Sequence, residues 1–183
     1  MNDTLPSSRN TRINLFRLPL AILLFVFCSA FNVNPRHESR AESAEMMQFR
    51  EFVTGYAQNF TGLKYRYAGV SPKTGFDCSG FTSFVLNEFG VKTSSSSAAQ
   101  SRQGERISLN DVLPGDLIFF GGRGHIQHVA MVVERTAEGI FCVHSTCSRG
   151  IIVENILTSR YWKPKILYAR DVITEQAEVK NLF

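Results

Sequence analysis

From Pro114-Gly115 onward the sequence breaks into short apolar or β-branched runs, which commits that half of the chain to a sheet. Residues 117–120, 129–133, 140–143, 151–153 and 166–169 carry these runs, with turn residues between them. The first half has a different period. Phe49, Phe52, Val53, Tyr56 and Phe60 recur at helical spacing from Met46, and Gly62 marks their end. Phe81, Phe84, Val85 and Phe89 share one face of a second helix, with Asp77 placed to cap its start and Gly90 to stop it. Helices followed by consecutive, shortly linked strands predict an α+β domain with N-terminal helices on a central antiparallel sheet of about five strands. The stretch 64–75 reads as a loop or short strands. The serine run 94–97 reads as a loop or the cap of a short helix through Gln103.

The N-terminus has a separate logic. Arg9, Arg12 and Arg17 precede an unbroken apolar run over residues 18–27, and Cys28-Ser29-Ala30 supplies small residues at the first and third places. Such a run fits an export signal and is too short to span a bilayer at ordinary thickness. Residues 1–30 are therefore expected to be a signal peptide or membrane anchor, residues 31–45 a polar linker, residues 46–172 the folded domain and residues 173–183 a tail. Cys28 is a candidate for lipidation, so attachment to the membrane through the N-terminus is allowed. The expected location is outside the cytoplasm, in the periplasm or cell envelope. Hydrophobic residues make up 44% and charged residues 20%, which is globular composition. The formal charge of +4 falls to +2 without the first 30 residues, too little to argue for nucleic acid as partner.

Cys78 stands at or beside the N-terminus of the second helix, where free N–H groups and the helix dipole favour a thiolate. The bland alternative is a small buried hydrophobe. His128 opens one strand and His144 ends the next, so a hairpin around Glu138-Gly139 can make them neighbours. A base close to a nucleophile, itself held by a second group, is what covalent catalysis requires. His125, His128, Cys142, His144 and Cys147 compete as a zinc set, but Cys142 lies inside an apolar strand and not in a knuckle, so no metal or other cofactor is expected. After removal of a signal peptide three cysteines remain, and an odd number leaves at least one thiol free; a Cys142–Cys147 bridge stays open.

Several motifs occur together and in order over residues 62–172: Lys64-Tyr65-Arg66-Tyr67-Ala68-Gly69, Gly75-Phe76-Asp77-Cys78-Ser79-Gly80-Phe81, Leu113-Pro114-Gly115-Asp116-Leu117, His128-Val129-Ala130-Met131, Val143-His144-Ser145 and Tyr161-Trp162-Lys163. Taken together they resemble the NlpC-type peptidoglycan endopeptidases. The resemblance implies a papain-like fold and an exported cysteine peptidase that is monomeric and cuts peptidoglycan stem peptides, typically between D-γ-glutamate and a diamino acid. It implies Cys78 as nucleophile, His128 as base, His144 as the group orienting that base, Tyr65 near the thiol, and Asp77 and Ser79 at the free amino end of the stem. A non-catalytic wall-binding module and an amidase or acyltransferase are the alternatives. The chain departs from the family pattern in a longer hairpin between the histidines, in Ala68 where a glycine is usual, and in serines replacing a Pro-Arg pair before the short Gln-bearing helix.

Overall fold

The computed structural model describes residues 35–176, and side chains from residue 42. The chain divides into two compact units, residues 1–40 and 41–183. Of the first unit only the helical residues 35–40 are described, so the expected signal segment, Cys28 and residues 177–183 lie outside the described residues.

Helix α1 (Pro35–Gln58) begins eleven residues before Met46, where its apolar stripe starts. The expected linker is helical from Pro35, because Arg, Glu, Ala and Met are good helix formers even without an apolar face. Val53 and Ala57 are fully buried, while Phe52, placed on the stripe by spacing, is 64% exposed. A two-strand ribbon, β1 (Val70–Ser71) and β2 (Gly75–Phe76), leads into α2 (Cys78–Glu88). Asp77 caps α2: its Oδ1 accepts the Gly80 N–H at 2.6 Å. The far end closes as expected, with Gly90 at φ 76° and the Val91 and Gly90 N–H groups donating to Leu86 and Asn87 carbonyls. Short α3 (Ser97–Gln100) follows.

Six antiparallel strands form the sheet: β3 (Glu105–Ile107), β4 (Leu117–Gly122), β5 (His125–Thr136), β6 (Gly139–Thr146), β7 (Gly150–Asn155) and β8 (Ile166–Asp171), in the order β3-β8-β4-β5-β6-β7. The five expected strands are β4 to β8. The sixth, β3, is a three-residue edge strand of polar composition that no apolar run announces. One face of the sheet packs Leu117, Phe119, Val129, Met131 and Val143 against the helices. The other packs Ile118, Phe120, Ala130, Val132 and Cys142 with Trp162. This alternation follows from the two-residue period of a strand.

Arg50 of α1 is fully buried and ties the ends of the domain together. It donates to Asp116 Oδ1 at 2.8 Å and to the Pro114 carbonyl at 2.9 Å, and pairs with Asp171 at 2.7 Å. Asp116 Oδ2 in turn accepts the Leu113 N–H at 2.7 Å. The Pro-Gly-Asp motif is thus the receptor for a buried cation. The expected tail starts later than residue 173: Ile173 is fully buried, and the Thr174 hydroxyl accepts from Arg50 at 2.9 Å.

Candidate active site

The loop 65–69 and the start of α2 lie against each other because two glycines permit it. A side chain at Gly69 would strike the Gly75 carbonyl, and one at Gly80 would strike the Gly69 carbonyl. Between them Ala68 is held at φ 53°, a conformation that favours glycine. This packing sets Tyr65 beside the first turn of α2. The Tyr65 phenol bonds the Cys147 side chain and lies within electrostatic reach of Cys78 and Asp77; burial first, then these neighbours, hold it protonated.

Cys78 is the first residue of α2 and is half-buried. Its electrostatics differ from the thiolate that a helix N-terminus alone would favour. Burial pushes the thiol up, the Asp77 carboxylate adds to this, and the main chain of Val129, Ser79 and Cys78 itself pulls only partly back. Asp77 is where the sequence suggested, but it caps the helix through one oxygen. Ser79 is buried and donates its hydroxyl to the Ser95 carbonyl at 2.8 Å, so it braces the serine loop. Gln100, also buried, donates to the Ser94 and Ser79 carbonyls at 2.6 and 3.1 Å and completes that brace.

The two histidines meet as the hairpin reading required. Met131 pairs with Val143, so His128 and His144 are diagonal neighbours on one face. The additional hairpin residues extend the ladder, with Thr136 opposite Gly139 and a register shift between Val132 and Glu134 absorbing the mismatch. His128 Nε2 and His144 Nδ1 are 2.9 Å apart, and His144 Nε2 lies 3.0 Å from Glu154 Oε1. Both rings are desolvated, and burial is the first cause that lowers each below the ordinary imidazole range, His128 to about 3 and His144 to about 4.

These contacts determine the tautomers. The Glu154 carboxylate only accepts, so His144 Nε2 carries the proton. Neutral His144 then offers a lone pair at Nδ1, and His128 Nε2–H donates to it. The remaining nitrogen of His128, Nδ1, is left bare as a proton acceptor. Trp162 secures the arrangement: its indole stacks on His128 at 4.3 Å, and its Nε1–H donates to Glu154 Oε1 at 2.9 Å. Arg149 pairs with the same carboxylate. Sequence reasoning missed Glu154 and gave Trp162 no role. An acidic residue inside the β7 run, two positions beyond Ile152 and therefore on the face of His144, was the available signal.

The thiol and the imidazole are joined through β5 rather than by a direct hydrogen bond among the described residues. Cys78 reaches the main chain of Val129, the residue after His128. His125, at the exposed start of β5, stands outside this constellation. Cys142 is fully buried and Cys147 exposed, both free, so they do not form a bridge. Among the described residues no group of three or more His, Cys, Asp or Glu is placed to hold a metal, and no helix is long and apolar enough to cross a membrane.

The NlpC/P60 family model matches residues 62–171. The chain is 32% identical over 143 residues to a gamma-DL-glutamyl hydrolase of Bacillus subtilis (strain 168), covering 76% of this chain but only 34% of that relative. It is 31% identical over 177 residues to the Murein DD-endopeptidase MepS/Murein LD-carboxypeptidase of Escherichia coli (strain K12), covering 86% of this chain and 90% of the relative. A crystal structure of an NlpC/P60 family protein from Bacillus cereus ATCC 10987 superposes with a TM-score of 0.60 at 32% identity, over 66% of this chain and 39% of the other. The family match spans every strand of the sheet and the helix bearing Cys78, and the chain belongs to the NlpC/P60 family.

Proposed function

We propose that the protein is an exported cysteine endopeptidase of the cell envelope that hydrolyses peptidoglycan stem peptides, with Cys78 as nucleophile, His128 as base and His144 orienting the base. The observation that carries this reading is the directed chain from Glu154 through His144 to His128, which leaves His128 Nδ1 as acceptor next to the strand residue that touches Cys78.

The resting pair is a neutral thiol and a neutral imidazole, since burial disfavours both charged forms. His128 Nδ1 therefore takes the Cys78 proton as Sγ attacks the amide carbonyl. The Cys78 N–H and the protonated Tyr65 hydroxyl are the donors offered to the oxyanion. The imidazolium then gives its proton to the leaving amine, and His144 accepts the Nε2–H of the charged ring throughout. Water activated by neutral His128 cleaves the thioester and restores the thiol. Asp77, with Oδ2 unused by any donor among the described residues, is the group for a substrate ammonium. Ser79, with its hydroxyl 3.2 Å from Asp77 Oδ1 and 2.8 Å from the Ser95 carbonyl, braces that side.

The preferred bond is the one between D-γ-glutamate and the diamino acid, in keeping with the γ-glutamyl specificity in the name of the Bacillus subtilis relative. A cross-link cut is the second reading, favoured by the name of the Escherichia coli relative and its coverage of nearly the whole of both chains. Digestion of purified peptidoglycan with mass analysis of the products separates the two. New amino termini on the diamino acid support the first; new termini released only from cross-linked dimers support the second. Cys78→Ala must abolish both, and full activity in that variant excludes the mechanism.

A further inference from the structure

A cavity of about 540 Å³ opens beside His128, lined among others by Gln127, His128, Cys147, Arg149, Trp162 and Lys165. Its volume suits a single side chain or a small dipeptide unit. The chemistry of the reaction says which end of the substrate enters it. A general acid must lie beside the leaving amine, so the residue on the amine side of the scissile bond occupies the space in front of His128.

The lining of this cavity contains two cations and no carboxylate. They are not equivalent. Arg149 is paired with Glu154 and its charge is spent within the relay. Lys165 is half-buried, its Nζ lies 3.1 Å from the centre of the Tyr161 ring, and no carboxylate pairs with it among the described residues. An ammonium held on an aromatic face keeps donor capacity and full charge for a ligand.

We propose that this cavity is the subsite for a leaving residue bearing a free carboxylate, and that Lys165 is the specificity-determining residue that reads it. The inference rests on the peptidase reading for the direction of the substrate. Occupation has a consequence for the base. Lys165 is among the charges that depress protonation of His128, after burial and His144. The other titratable or charged groups around that ring are His144 on β6, and behind it Glu154 on β7 and Arg149 at the β6–β7 turn, while Cys78 on α2 reaches the main chain of the next residue, Val129. A carboxylate on Lys165 cancels one opposing charge and eases proton uptake by His128.

The test uses the full chain and two peptides, L-alanyl-γ-D-glutamyl-L-lysine with a free C-terminal carboxylate and the same peptide as its carboxamide. Binding is measured by calorimetry in the Cys78→Ala background, so turnover is not required. The carboxylate peptide is expected to bind about fivefold more tightly than the carboxamide, as for a partly exposed ion pair. Lys165→Gln should remove that preference without weakening the carboxamide, and Lys165→Arg should keep it. With the active protein, the acid limb of kcat should lie at higher pH for the carboxylate peptide than for the carboxamide, and Lys165→Gln should merge the two. An unchanged binding ratio in Lys165→Gln, or no binding of either peptide, overturns the subsite. Binding with the predicted ratio but no cleavage by the unsubstituted protein leaves the subsite standing and removes the proposed reaction instead.

Discussion

Glu154→Gln is the sharpest perturbation of the relay, because it keeps the shape and removes only the charge. In the folded protein Glu154 Oε1 receives His144 Nε2–H at 3.0 Å and Trp162 Nε1–H at 2.9 Å, with Arg149 on the same oxygen. A hydrogen bond to a charged group contributes about 1.5–3 kcal/mol, roughly twice a neutral one. The amide weakens the hold on the His144 tautomer and on the imidazolium that forms two rings away. The amide oxygen still accepts, so the loss is the excess of the charged over the neutral bond, about 0.8–1.5 kcal/mol; felt only in the transition state, it lowers kcat/KM about four- to twelvefold. KM should change little, since Glu154 does not line the substrate cavity. The assay is release of the diamino acid–containing product from a stem peptide, alongside a thermal melt to confirm that the fold persists. Activity within twofold of the unsubstituted protein at unchanged melting temperature would refute the relay.

Two further outcomes follow from strain and burial. Ala68 sits at φ 53°, where an alanine costs about 1–2 kcal/mol and a glycine little. Ala68→Gly should therefore stabilise by roughly 0.5 kcal/mol after the added freedom of the unfolded chain is subtracted, read as a higher urea midpoint; a lower midpoint contradicts the strain. His128 and His144 are both held below their unfolded value by burial, so the unfolded chain binds protons that the folded one refuses. Stability should be full above about pH 6.5 and decline as pH falls towards about 4 and 3, by up to about 1.4 kcal/mol per pH unit for each ring. His128→Gln should flatten that slope between pH 6.5 and 4.5; an equal slope in both proteins would show that the ring is not desolvated.

The elements were legible in the sequence because burial writes a period into the chain. Phe81 and Val85 at helical spacing and the short apolar runs of β4, β5 and β6 required no knowledge of partners. The start of a helix at Cys78 and the meeting of His128 with His144 were legible because Asp77 and the hairpin fix those element ends. Partners were harder. Arg50 looks like a polar residue beside an apolar stripe, and only the return of the Pro-Gly-Asp turn and of Asp171 makes it the centre of a buried cluster. Glu154 left a weaker signal, an acidic residue within the β7 run, whose meaning depends on the register that sets it on the face of His144. The bond from the Ser79 hydroxyl to a carbonyl 16 residues away leaves no local trace. The state of the Cys78 thiol was the least legible, because burial and the Asp77 charge, which push it up, act from outside the helix terminus. The helical start at Pro35 was not legible, because a helix made by propensity carries no apolar period.

The central claim is that the sulfur of Cys78 becomes acylated during turnover. Acid quenching of the full protein mixed with excess stem peptide, followed by mass mapping, reads this directly. The account predicts a thioester on the peptide containing Cys78 and none on those containing Cys142 or Cys147. Steady product formation with Cys78 unmodified, or an acyl group carried by Cys147, would contradict it.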